Sequence, residues 1–267
     1  MSYGGILLKE IKKYLESRDG EYSFFFEDLD CGYIYGFNED KLMPSAGCIK
    51  LPIAMALLKQ CEGCKLNLMD KVKIGPKDKV NGNGILHEFS DREYTIKELL
   101  IAMLIQSDNT ATNKIISILS IENINETIKA MGLKNTKLNI VAMEEKLHDG
   151  INENMTTALD LSICWKHLYK ESFLNAENSE LLLDILKRQQ LKNKLSYYFY
   201  SKTKEAVASK SGDLKNIEND SILFEIPQGN FTFTVLSDEL PSNVYGTVSL
   251  SKTGKMMFDI VCNDWSK

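Results

Sequence analysis

Three short stretches carry side chains able to move a proton at a carbonyl group. They are Met43-Pro-Ser-Ala-Gly-Cys-Ile-Lys-Leu-Pro52, Gln106-Ser-Asp-Asn-Thr-Ala-Thr-Asn113 and Ala208-Ser-Lys-Ser-Gly-Asp-Leu214. Lys50 lies three residues after Gly47, about one helical turn, so the two positions share a side of a helix. A lysine beside a hydroxyl takes its proton only as the neutral amine. Burial and a second cation, Lys210, would lower its pKa toward that state. A helix starting at position 47 would also offer free backbone N–H groups to a developing oxyanion.

The elements that must position these residues can be read from the spacing of apolar side chains. Residues 5–18 place Leu7, Leu8, Ile11, Tyr14 and Leu15 at helical intervals. The aromatic runs 22–26 and 32–37 predict a β-hairpin. Helices are predicted over 49–60, 96–106, 109–119, 124–131, 157–169 and 178–190, with Thr95-Ile-Lys-Glu98 as a capping box opening the second of them. Strands return at 206–210, 221–226 and 231–236, and 245–262 closes the chain as a helix. Strands from both ends must then meet in one sheet, with the helical block inserted as a second lobe.

Composition narrows the class. The 267 residues are 43% hydrophobic and 26% charged, with 16 Gly and 5 Pro, which excludes fibrous, low-complexity and disordered chains. A net charge of −5 argues against non-specific nucleic-acid binding. The longest apolar run, 99–105, is too short to span a bilayer. The first residues lack the apolar stretch of a secretory leader, so a cytoplasmic location is expected unless a leader was trimmed. Six scattered cysteines need no disulfide framework, and Cys61-Glu-Gly-Cys64 lacks a second pair for zinc. His87, His148 and His167 show no metal-ligand spacing, and Asn81-Gly-Asn-Gly84 reads as a turn.

Taken in order, the three stretches resemble the S-x-x-K, S-D-N and K-T-G signatures of class A β-lactamases and penicillin-binding proteins. Position 47 precedes Ser107 by 60 residues, and Ser107 precedes Lys210 by 103. The resemblance covers essentially the whole chain. It implies a β-lactamase-like α/β (α+β) fold, an antiparallel sheet flanked by N- and C-terminal helices plus an inserted all-helical lobe. The sheet lobe would comprise 1–45 and 195–267, the helical lobe 46–194, with the active site between them. The implied chemistry is acyl-enzyme formation on a β-lactam or a related amide or ester, by a monomer without metal or organic cofactor. Lys50 would act as base and Ser107 as proton relay to the leaving nitrogen. Asn109 would bond an acylamide side chain. Lys210 and Ser211 would hold a substrate carboxylate, and Gly212 would permit close backbone approach. The N–H groups of position 47 and Asp213 would form the oxyanion hole.

Two departures qualify this reading. Where the family has a nucleophilic serine, this chain has Gly47, so acylation at that position cannot occur. Ser45 comes two residues early, and Cys48 is rotated about 100° around a helix. The retention of Lys50, Ser107 and Lys210 favours an engineered inactive form over a natural non-catalytic relative. The family's Glu-x-x-Leu-Asn run, which carries the deacylating base, is also missing, leaving Glu144 and Glu145 as candidates and an intracellular esterase or peptidase as an open reading. Lys252-Thr253-Gly254 is a chance match to K-T-G. The basic run 187–204 is expected to be a solvated face, with Tyr197, Tyr198 and Tyr200 either at the cleft mouth or packed on the helical lobe.

Overall fold

A computed structural model describes residues 3–140 and 153–265, with side chains from residue 7 onward. Helix α1 (Tyr3–Glu16) leads into strands β1 (Glu21–Asp28), β2 (Ile34–Phe37) and the short β3 (Met43–Pro44). Then follow α2 (Lys50–Glu62), β4 (Lys71–Ile74), β5 (Arg92–Thr95), α3 (Ile96–Ile105), α4 (Asn109–Leu119) and α5 (Ile121–Ala130). After β6 (Met155–Thr156) come α6 (Ala158–Lys170), α7 (Ala176–Lys187) and the short α8 (Ser201–Ala206). Strands β7 (Ala208–Leu214), β8 (Ile217–Ile226) and β9 (Gly229–Asp238) precede α9 (Asn243–Asn263).

Both ends of the chain build one antiparallel sheet in the order β2-β1-β9-β8-β7. Strand alternation sends Phe24 and Phe26 to one face and Phe25 to the other. Phe24, Phe26, Phe231 and Phe233 join Leu8, Ile11, Leu250 and Met257 in a core beneath α1 and α9. Phe25 and Leu236, from the opposite face, pack with Cys48, Ala158 and Leu161. A third core, including most buried apolar residues of α2–α7, fills the helical region around Leu57, Leu100, Ile115 and Trp165.

Sequence expectation and structure differ where tertiary pairing outweighs local propensity. The strand predicted at 206–210 instead runs 208–214, because Ala206 closes α8 and pairing with β8 extends the polar Ser-Gly-Asp segment as a strand. The hairpin β4–β5 and the two-residue pair β3–β6 escaped detection because each is too short to show a period. The capping box is present: Glu98 N donates to Thr95 Oγ1 at 3.1 Å, and Thr95 N donates to Glu98 Oε2 at 2.6 Å. The second K-T-G is structural. Gly254 lies on α9, where a Cβ would collide with the Leu195 carbonyl oxygen, and Thr253 Oγ1 donates to Ser249 O within the helix.

Candidate active site

Three elements converge where the sheet edge meets the helical region. Residues Ala46–Ile49 form a 3-10 turn, and Lys50 is the first residue of α2. Gly47 therefore sits on this turn rather than on the α-helix expected there, yet 47 and 50 remain one turn apart. Ser107 occupies the bend between α3 and α4 in a left-handed conformation, φ 55°. Strand β7 forms the sheet edge and brings Lys210, Ser211, Gly212 and Asp213 to the same place.

Asp108 fixes the bend. Its carboxylate accepts from Ala111 N at 2.8 Å, capping α4, and from Ile85 N and Leu86 N at 2.7 and 2.8 Å. Asn109, next along, accepts from Lys50 Nζ through Oδ1 at 3.1 Å and donates through Nδ2 to Asn81 O at 3.3 Å. The Asn81–Gly84 turn thus supports the S-D-N segment from outside, a contact no local pattern announces.

Lys50 and Lys210 are both buried and share one hydroxyl. Lys50 Nζ lies 2.9 Å from Ser107 Oγ and 2.6 Å from Ser107 O. Lys210 Nζ lies 3.2 Å from Ser107 Oγ and donates to Ser211 O at 2.6 Å. Burial, seconded by the Lys210 ammonium, holds Lys50 well below the ordinary lysine range. Burial also brings Lys210 down to about 8, with Lys194 adding repulsion. The expected juxtaposition of Gly47, Lys50, Ser107, Asn109 and Lys210 is present.

Gly47 and Gly212 meet closely. A Cβ on Gly47 would lie 2.8 Å from the Ser211 carbonyl oxygen, 3.1 Å from Ser107 Oγ and 3.2 Å from Gly212 Cα. One on Gly212 would collide with the Gly47 nitrogen. Neither neighbouring residue replaces the absent side chain. Ser45 Oγ is buried and donates to Asn154 O at 2.9 Å. Cys48 points to the Lys210 carbonyl oxygen at 3.2 Å, is fully buried, and its thiol is pushed up to about 12 by that burial.

A buried charge cluster behind β7 corrects the expectation of a solvated face at Lys194, whereas Arg188 and Lys202 of the same basic run are exposed. Lys194 is 4% exposed, forms an ion pair with Glu218, and donates to the carbonyls of Gly212 at 2.9 Å and Asn219 at 3.2 Å. The N–H and C=O of a trans peptide point in opposite directions, so holding Gly212 O turns the Asp213 N–H away from Lys194. Asp220, also buried, accepts from Leu195 N and Ser221 N, and burial pushes its carboxyl up to about 6. A lysine in a basic run gave no sign of this role, because its acidic partner lies 24 residues later in sequence. Tyr197, Tyr198 and Tyr200 are exposed, the last against Phe258 of α9. Glu144 and Glu145 lie outside the described residues. Among the described residues no group of three or more His, Cys, Asp or Glu could hold a metal ion, and no helix is long and apolar enough to cross a membrane.

Comparison with known proteins places this geometry in context. A model described as "Beta-lactamase enzyme family" matches residues 7–259. Beta-lactamase SME-1 of Serratia marcescens is 32% identical over 105 residues, covering 39% of this chain and 36% of that protein. A β-lactamase of Bacillus licheniformis is 28% identical over 183 residues, 67% of this chain and 58% of that protein. The chain thus spans less than two thirds of the length of these relatives. Among solved structures, the β-lactamase of Sphaerobacter thermophilus superimposes with a TM-score of 0.89 over 98% of both chains at 22% identity. PBP-A does so with a TM-score of 0.87 over 95% of both chains at 23% identity. The fold of these proteins is that described above.

Proposed function

We propose that this chain, which belongs to the β-lactamase enzyme family, binds a carboxylate-bearing β-lactam or related amide or ester in the cleft beside β7 and forms no acyl-enzyme at position 47. The observation that carries this reading is the hydrogen-bonded set of Lys50, Ser107, Asn109 and Lys210 around a residue with no side-chain oxygen. The amines supply a base and an anion-binding cation, and the Gly47 and Asp213 N–H groups supply the oxyanion donors in this reading.

The close approach of β7 favours a native glycine over an engineered one. A site shaped for serine would leave room for its Cβ, whereas here that atom would press on the Ser211 carbonyl oxygen at 2.8 Å. Moving a backbone oxygen costs more than rotating a side chain, and overpacking of this kind costs about 1–3 kcal/mol.

Gly47→Ser separates these points. The variant is expected to form a covalent adduct with a chromogenic cephalosporin or a D-alanyl ester, read by intact mass, while melting below the wild-type chain. An adduct from neither substrate overturns the acyl-chemistry reading. A variant that melts above wild type would instead indicate a site built for serine.

A further inference from the structure

We propose that Lys194 is a positioning residue for the oxyanion site: its ammonium orients the peptide between Gly212 and Asp213 and strengthens the Asp213 N–H as a donor to a bound carbonyl oxygen. The inference rests on the reading that the Gly47 and Asp213 N–H groups receive that oxygen.

Lys194 carries its charge into the sheet. It is 4% exposed, and its contacts are the carbonyl oxygens of Gly212 at 2.9 Å and Asn219 at 3.2 Å and the carboxylate of Glu218. All three partners only accept, so each N–H of an ammonium has one partner. A neutral amine would turn its lone pair on an acceptor. Glu218 is held in turn. Its Oε1 accepts from Asn243 Nδ2 at 2.8 Å, and the same amide donates to Leu214 O at 2.7 Å. Asn243 is the first residue of α9. The contacts therefore run from the start of α9 through Glu218 and Lys194 to Gly212.

The peptide that Lys194 grips is the one that bears the Asp213 N–H. A Cβ on Gly47 would lie 2.8 Å from Ser211 O, so that carbonyl faces position 47. Backbone groups along a strand alternate between its two edges, so the Asp213 N–H lies on the same edge as Ser211 O. Gly212 O lies on the other, beside Asn219 of β8. The bond from Lys194 to that oxygen then sets where the Asp213 N–H points. Direction matters here because the segments bearing the two donors touch: a Cβ on Gly212 would collide with the Gly47 nitrogen and lie 2.9 Å from the Cys48 nitrogen.

Charge adds to orientation. Hydrogen bonds from a charged donor are roughly twice as strong as neutral ones. An ammonium on the carbonyl oxygen draws electron density to that end of the amide and makes the N–H at the other end a stronger donor. Bonds linked in this way strengthen one another by about 10–30%.

Infrared difference spectra of the unaltered chain with benzylpenicillin, carrying carbon-13 at the lactam carbonyl, read the donor directly, because hydrogen bonds lower a carbonyl stretching frequency. The bound frequency is expected below that of the free compound in water, and Lys194→Met should reverse at least part of this shift. Affinity should fall by no more than about tenfold, the span of one neutral hydrogen bond. A merely structural role would lower the melting temperature and the affinity but leave the frequency of the bound fraction unmoved. Lys194→Gln keeps an N–H donor without the charge. It should fall between, and it carries the test if methionine prevents folding. A bound frequency equal in wild type and in a folded Lys194 variant overturns the inference and leaves the proposed function standing. So does a wild-type frequency that is not lowered on binding, which removes the two N–H groups as donors. A wild-type chain that does not bind the compound overturns both.

Discussion

Asp108→Ala is expected to destabilise the chain by about 3–5 kcal/mol, the largest effect of any single polar substitution at the site. The carboxylate is fully buried and accepts from three backbone N–H groups, those of Ile85, Leu86 and Ala111. Hydrogen bonds to a charged group contribute about 1.5–3 kcal/mol each, and alanine leaves all three donors without their acceptor. The loss of the α4 cap alone accounts for about 1 kcal/mol of the total. Against a typical domain stability of about 5–15 kcal/mol, this is a large fraction. Urea unfolding at neutral pH measures it, and a loss below about 1 kcal/mol would show that the residues 80–86 turn finds other partners. Asp108→Asn should fall between, because its amide retains one acceptor oxygen and presents N–H to backbone donors. The effect reaches the site because Ser107 and Asn109 flank this residue. Without the cap, the bend that keeps Ser107 at φ 55° loses three of its anchors and depends on the Asn109 contacts.

That dependence explains which parts of the molecule were legible in the sequence. The helices that carry the site have long periodic faces, and α4 begins and ends at the predicted residues. The motif residues Lys50, Ser107 and Lys210 could be placed because each lies within a recognisable stretch. Contacts between distant stretches were invisible. Asp108 reads as one letter of a motif, yet its main work is to bind a turn more than 20 residues earlier. Lys194 reads as surface charge, yet it fixes the carbonyl of Gly212. The absent side chain at position 47 was plain in the sequence. That β7 presses against it, so that glycine fits where serine would crowd, needed the backbone.

Lys210→Met should weaken binding of a carboxylate ligand by about 10- to 150-fold, the range set by one charge-assisted hydrogen bond of about 1.5–3 kcal/mol. An ammonium has three donors, and Lys210 uses two of them on Ser107 Oγ and Ser211 O, leaving one for a ligand. Lys50 has no donor to spare. The pH dependence should distinguish the two amines. Burial lowers Lys210 to about 8, so it is a cation below that pH and carboxylate affinity should fall as pH rises through it. Folding responds with the opposite sign. An unfolded lysine keeps its proton to about 10.5. Between about 8 and 10.5 the unfolded state therefore binds more protons than the folded one, and the Lys210 contribution to stability rises with pH. Lys50, also lowered, adds a contribution of the same sign. Loss of binding above pH 8 therefore cannot be mistaken for unfolding by these groups. Calorimetric titration and thermal melts over pH 6–10 would measure both, and carboxylate affinity unchanged across that range would remove Lys210 as the anion site. The division of labour follows from proximity. Two cations around one hydroxyl repel, and the Lys210 ammonium adds to the burial that holds Lys50 below the ordinary lysine range. Lys210, with a donor left over, is the amine placed to hold the ligand carboxylate.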